Sequence, residues 1–174
     1  MSQIEIKELG AERKADANIP NQSFQVFGKL IPSLTLGNWE YKIEYFEEQR
    51  EMCFPDFEYE PCDGGIFLGA YDGDNCIGLA VLRKGLFKYL YLDDLKVNAA
   101  YRRQGVGTKL ITAALAKAGE LGLLGVYAIA QDNNLAACLF YLKCGFEIGG
   151  FDNRAYRGTA QEEKADIYFY RDSD

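Results

Sequence analysis

The sequence predicts one α/β (α+β) domain in which helices pack on a mixed sheet, and three observations lead there. The chain has 174 residues, 48% of them hydrophobic, which suits a single core because chains divide beyond about 250–300 residues. Apolar residues alternate with polar ones through several short stretches, as half-buried strands require. Two later stretches instead carry their apolar residues at helical spacing. The resulting order is strands first, then β-α-β-α-β-β, and such an order is satisfied by helices layered on a sheet.

Each element follows from its local pattern. Phe24, Val26, Gly28 and Leu30 alternate, as do Trp39, Tyr41, Ile43 and Tyr45, so both stretches read as strands. Ile66–Tyr71 and Cys76–Arg83 flank Asp72-Gly73-Asp74-Asn75, a turn composition, and read as a hairpin. Phe87–Val97 is a further strand, rich in Tyr and Leu. In Thr108–Leu121 the residues Leu110, Ile111, Ala114, Leu115 and Ala118 mark one face of a helix, with no Gly or Pro before Gly119. Gly125–Ala130 is a short apolar strand. Leu135–Lys143 is a second helix, closed by Gly145 in a helix-end position. Phe146–Phe151 and Ile167–Tyr170 complete the sheet. The whole chain reads as one domain, with residues 1–65 on the substrate side, 66–151 as its core and 152–174 as a C-terminal strand.

Composition excludes several chemistries. Histidine is absent, so neither Ser-His-Asp nor Cys-His catalysis can operate, nor can imidazole ligate a metal. Cys53, Cys62, Cys76, Cys138 and Cys144 are odd in number and form no CxxC pair, so no disulfide framework or zinc site is legible and no metal is expected. A net charge of -7 argues against nucleic acid, whose phosphates need a basic stripe; it suits a small cationic partner. No apolar run approaches the roughly 20 residues of a membrane helix. Met1–Glu8 alternates charge with aliphatics and lacks a signal-peptide core. A cytoplasmic protein with no membrane partner is expected. Its oligomeric state stays open, a homodimer being one alternative.

The sharpest local feature is Arg102-Arg103-Gln104-Gly105-Val106-Gly107-Thr108, between a strand and the clean amphipathic helix. Such a loop offers backbone N–H groups at a helix N-terminus, where the helix dipole adds partial positive charge. Glycine lets the main chain approach a bulky anion. The construction is an anion cradle suited to phosphate or pyrophosphate. It is neither a Rossmann fingerprint, which would need glycine at Leu110, nor a P-loop, which would need Gly-Lys-Ser/Thr where Gly107-Thr108-Lys109 stands.

With Leu92-Asp93-Asp94-Leu95-Lys96-Val97 before it, and Asn134, Ala137, Phe140-Tyr141 and Gly145-Phe146 after it, the loop resembles that of the GNAT superfamily of N-acetyltransferases. The resemblance covers residues 66–151 and implies a mostly antiparallel central sheet with helices on both faces. It also implies acetyl-CoA as co-substrate. Arg102, Arg103, Gln104, Gly105, Val106, Gly107 and Thr108 would hold the pyrophosphate. Leu95, Lys96 and Val97 would pair with the pantetheine arm, and Asn133, Asn134 and Ala137 would line it. Tyr141 matches the tyrosine that protonates the departing thiolate. A longer resemblance, from about residue 20 onward, is to the members that acetylate streptothricin. It rests on Phe24–Pro32, Asn38-Trp39, Gln131–Cys138 and Cys144–Gly149, and implies antibiotic resistance by acetylation of a primary amine on the β-lysine arm.

The residues themselves fit a cationic acceptor. Residues 44–63 hold Glu44, Glu47, Glu48, Glu51, Asp56, Glu58, Glu60 and Asp63 against the single base Arg50, with aromatics interleaved. Acids steer a polyamine and aromatic faces bind its charge, which makes Glu44, Glu58 and Tyr59 candidate substrate residues. The acceptor amine must also lose a proton. Asp93 and Asp94 are the candidate bases, with Glu40, Glu44 and Glu58 as alternates. Strand alternation is expected to send the two aspartates to opposite faces, so only one would reach the substrate. Cys138 or Cys144 as an acyl-carrying nucleophile has no recognisable base partner, so direct transfer is expected. Alternative functions are acetylation of a protein or peptide amine, and a non-catalytic acyl-CoA-binding module.

Overall fold

A computed structural model describes residues 3–174; Met1 and Ser2, the start of the segment read as lacking a signal-peptide core, lie outside the described residues. In chain order the elements are β1 (Glu5–Glu8), α1 (Lys14–Ala17), β2 (Phe24–Thr35), β3 (Asn38–Met52), β4 (Ile66–Asp72), β5 (Asn75–Lys84), β6 (Tyr89–Val97), α2 (Val106–Glu120), β7 (Gly125–Gln131), α3 (Leu135–Lys143), β8 (Glu147–Asp152) and β9 (Asp166–Asp172). Short 3-10 turns at Ala11–Arg13 and Ala99–Tyr101 precede α1 and α2. The chain divides into two compact units. One holds the residues up to Gln22, then Phe54–Tyr127 and Asp172–Asp174; the other holds Ser23–Cys53 and Ala128–Arg171.

In the first unit β1, β4, β5 and β6 form consecutive antiparallel pairs. β4 and β5 are buried along almost their whole length, which explains why their sequences are continuous apolar runs instead of alternating ones. Leu79 and Val81 of β5 join Leu9, Ala17, Tyr59, Phe67 and Tyr71 in one core cluster, so α1 covers that face. The opposite face takes α2. A Cβ on Gly78 would lie 3.3 Å from both Leu110 Cδ1 and Val106 Cγ1. The buried stripe of α2 is Val106, Leu110, Ile111, Ala114 and Ala118. Helices thus cover both faces of this antiparallel sheet, as expected. The hairpin between β4 and β5 turns at Gly73, whose φ of +60° needs glycine.

The second unit contains a long antiparallel ribbon, β2 with β3. It closes at Leu36 (φ +50°) and Gly37 (φ +82°), the paired positive angles of a two-residue hairpin turn. Helix α3 packs on β2: a Cβ on Gly28 would meet Leu135 Cδ2 at 3.0 Å. β8 and β9 pair antiparallel, and Leu135, Cys138 and Tyr141 are the buried face of α3.

The expected elements are all present, with differences at their ends. β3 runs on to Met52, and α2 begins at Val106, not Thr108. β6 begins at Tyr89 because Phe87 sits in the preceding turn, 95% exposed with φ +57°. β1 and the single-turn α1 were not foreseen, since elements this short carry too few residues to show a period.

Candidate active site

The cradle forms where β6 gives way to α2. Asn98 Oδ1 accepts from the Ala100 N–H at 3.0 Å and caps the Ala99–Tyr101 turn. Arg102 Nε donates to the Val97 carbonyl at 3.1 Å, and Gln104 Nε2 to the Ala100 carbonyl at 2.9 Å. These bonds brace the loop from behind. Arg103 (φ +59°) and Gly105 (φ +83°) are both left-handed, a conformation that occurs in anion-binding main-chain nests. The Gly105 carbonyl accepts the first α2 bond from Lys109 N–H at 3.0 Å. The N-cap residue Gly105 gives no side-chain hydrogen bond to this helix start, and nothing lies within 4 Å of where its Cβ would be. A helix start with an open glycine at its N-cap is the setting in which main-chain amides bind anions. Leu95, Lys96 and Val97 pair with Ala80, Leu79 and Gly78 of β5 just upstream.

In the same unit, Tyr59 gathers the charged residues of β6. Its ring is buried at 6% exposure, and its hydroxyl donates to Asp94 Oδ2 at 3.0 Å. Lys96 Nζ lies 3.3 Å from the same oxygen. Arg83 sits 5.9 Å from the Tyr59 ring centroid and donates through Nε to Asp93 Oδ2 at 2.8 Å. Burial, then the Asp94 and Asp93 charges, push the Tyr59 phenol well above its ordinary pKa, so it stays a donor. The expected alternation of Asp93 and Asp94 fails for a definite reason. Pairing jumps from Val81↔Asp94 to Leu82↔Leu92, leaving Asp93 as the extra residue of a bulge, which re-aims side chains locally. Both carboxylates reach partners around Tyr59 as a result.

The acid-rich segment is divided between the two units. Glu44 is exposed on β3 in the second unit, opposite Lys29. Glu58 is exposed in the first unit and pairs with Lys14 Nζ at 3.1 Å; Lys14 also bonds Glu60. Tyr59 between them faces inward.

The second unit holds the remaining candidates. Asn134 caps α3, its Oδ1 accepting from Ala137 N–H at 3.3 Å. Asn133 is 6% exposed, and its Oδ1 has no hydrogen-bond partner among the described residues. Tyr141, 8% exposed, packs its ring against Phe140, Phe146 and Phe169 at 5.3–5.6 Å between centroids. Cys138 is fully buried, and burial pushes its thiol up to about 12.

Sequence reasoning missed two sets of residues. Arg83 lies ten positions before Asp93, and only strand pairing brings them together. Gln131, Tyr156 and Asp166 form a relay in the second unit, Gln131 Nε2 donating to Tyr156 at 3.0 Å and Tyr156 to Asp166 at 2.8 Å. No local pattern announces either set.

Comparison with known proteins agrees with this construction. A family model described as the acetyltransferase (GNAT) family matches residues 34–146. Streptothricin acetyltransferase A of Bacillus subtilis (strain 168) is 35% identical over 159 residues, covering 89% of this chain and 92% of that protein. A streptothricin acetyltransferase of Escherichia coli is 31% identical over 103 residues, 59% of each chain. Among solved structures, a candidate streptothricin acetyltransferase from Bacillus anthracis str. Ames, in complex with acetyl coenzyme A, superposes with a TM-score of 0.88 at 34% identity over 98% of this chain and 99% of that one. A nourseothricin acetyltransferase shares the fold, with a TM-score of 0.81 at 21% identity over 98% and 99%.

Proposed function

This chain belongs to the GNAT acetyltransferase family and is an acetyl-CoA-dependent N-acetyltransferase; from that premise we propose that its acceptor is a primary amine on the β-lysine arm of streptothricin. The observation that carries the proposal is the 35% identity shared with a streptothricin acetyltransferase along 92% of that protein's length. In this reading the whole of 1–174 serves as one catalytic domain, and the result of its activity is resistance to the antibiotic.

Acetyl-CoA, when bound, supplies an acetyl group activated as a thioester. The chain's residues do the rest. The first-turn amides of α2, with Arg102 and Arg103, hold the diphosphate, and Leu95–Val97 align the arm along β6. Asn133, Asn134 and Ala137 line that arm from α3's start, and the buried Asn133 oxygen offers an acceptor there. At a lysine-like pKa of about 10.4, roughly one amine in a few thousand is neutral at pH 7, so a base must take a proton. Asp94 takes that role, directly or through a water. Tyr59, kept protonated by burial, orients its carboxylate, while Asp93 is occupied by Arg83. Tyr141 donates a hydrogen bond to the departing sulfur; a phenol of pKa about 10 stabilises a thiolate whose acid has about 8.5 without full transfer. Glu44 and Glu58 attract the cationic acceptor. The acetyl group passes directly, with no acyl-enzyme.

Mass spectrometry of streptothricin incubated with the enzyme and acetyl-CoA tests this. One added acetyl group is expected, with Tyr141→Phe lowering turnover on the order of 10²-fold while coenzyme affinity changes little. Acetylation of a basic peptide with streptothricin left untouched would overturn the substrate; equal turnover by the variant would leave Tyr141 a packing residue.

A further inference from the structure

We propose that Asn18 is a positioning residue for acetyl transfer: its carboxamide clamps the main chain of Tyr59 and thereby sets the Tyr59 hydroxyl on the Asp94 carboxylate. The proposal rests on the reading of Asp94 as base. Tyr59 stands in a stretch that no ladder fixes, because the described residues 54–65 form neither strand nor helix. A buried main-chain N–H or C=O still needs a partner, and one side chain supplies both. Asn18 Oδ1 accepts from the Tyr59 N–H at 2.7 Å, and Asn18 Nδ2 donates to the Tyr59 carbonyl at 2.9 Å. Nδ2 also donates to the Lys14 carbonyl at 2.8 Å, which anchors the clamp to α1. Only that last bond serves the end of α1; the two to Tyr59 reach across 41 positions of chain.

What they hold is a side chain with one useful direction. The buried Tyr59 ring packs edge-on against Phe67, 5.7 Å between centroids, with Lys96 Nζ 5.8 Å from its own centroid. With the main chain clamped at one end, the hydroxyl at the other reaches Asp94 Oδ2 at 3.0 Å. Such a bond weakens steeply once its angle opens. Asn21 repeats the device nearby. Its Nδ2 donates to the Pro55 carbonyl at 2.9 Å, its N–H donates to Asp56 Oδ1 at 2.7 Å, and its Oδ1 accepts from Lys96 Nζ at 3.3 Å. Lys96 Nζ in turn lies 3.3 Å from Asp94 Oδ2. The phenol and the ammonium at that oxygen are thus both held by asparagines of one short segment, and a carboxamide does so without adding a charge.

Two measurements test the proposal. The first needs no turnover: NMR of the chain labelled at tyrosine Cζ, with the Tyr59 signal identified by its loss in Tyr59→Phe. In Asn18→Ala that signal should move toward its position in Asp94→Ala, where the hydroxyl has lost its partner; an unmoved signal overturns the clamp. The second is steady-state kinetics with streptothricin and acetyl-CoA. Asn18→Ala and Tyr59→Phe should each lower kcat about tenfold, and the double variant should fall no further, because one residue acts through the other. Multiplied effects, about a hundredfold in the double variant, would overturn the proposal, as would an unchanged kcat in Asn18→Ala. KM for acetyl-CoA should stay within about twofold, since the Asn18 carboxamide binds Tyr59 and α1. Asp16→Ala disturbs α1 by removing the acceptor of the Tyr71 hydroxyl at 2.6 Å and should keep the wild-type kcat; an equal loss there would reduce Asn18 to a support of α1. Asn18→Asp, which keeps the shape but sets an oxygen against the Tyr59 and Lys14 carbonyls, takes the place of Asn18→Ala should that variant not fold. A wild-type kcat in Asp94→Asn would overturn the base reading, and this role in transfer with it, even where the NMR signal moves. An unmoved signal beside a slowed Asp94→Asn overturns the clamp alone.

Discussion

Two adjacent carboxylates with different partners set the central question at the scale of single residues. Asp93 is held by the Arg83 guanidinium, whereas Asp94 accepts from a phenol that burial keeps protonated. Replacing Asp94 by Asn keeps an acceptor for Tyr59 while removing the proton-accepting carboxylate and its ion pair with Lys96. We expect Asp94→Asn to lower kcat on the order of 10²-fold or more and Asp93→Asn to stay within a few-fold, as read by steady-state kinetics. The reverse order would transfer the base to Asp93. Sequence reasoning reached this pair but could not rank it. Alternation assumed a regular strand, and the bulge at Asp93 depends on pairing with β5, which no local pattern records. Arg83 was invisible for the same reason.

Elements with a full local period were the legible ones. The stripe of α2, the turn at Gly73 and the helix end at Gly145 are each written in a few neighbouring residues, and each stands where the pattern put it. The glycine turn before α2 was legible too, because glycines before a clean helix have a local meaning. Its bracing was not: Arg102 Nε and Gln104 Nε2 each donate to a main-chain carbonyl a few residues upstream. A charge placed in that first turn tests the element. Gly107→Asp should weaken acetyl-CoA binding by several kcal/mol, since it sets a carboxylate against a diphosphate beside desolvated amides. Calorimetry showing unchanged affinity would contradict the cradle's role.

Across the whole molecule, stability carries its own pH signature. Asp132 is buried, and desolvation raises its pKa despite the backbone donors at Ala165 and Asn133; burial likewise raises Asp166. A folded-state value above the unfolded value of about 3.9 means that, between the two, the folded chain binds a proton the unfolded chain releases. Stability must then fall as pH rises from about 4 through the raised value. Asp132→Asn retains an acceptor for Ala165 N–H and abolishes that titration. Thermal melts should show the variant gaining on wild type between pH 4 and pH 7; parallel curves would refute the assignment. The division into units lay beyond any local reading, because each unit is assembled from distant stretches of chain. Ser23–Cys53 awaits Ala128–Arg171, and Phe54–Tyr127 is completed by Asp172–Asp174. A nascent polypeptide that has left the ribosome only as far as residue 165 can therefore finish neither unit, and both must wait for Asp166–Asp174 to emerge.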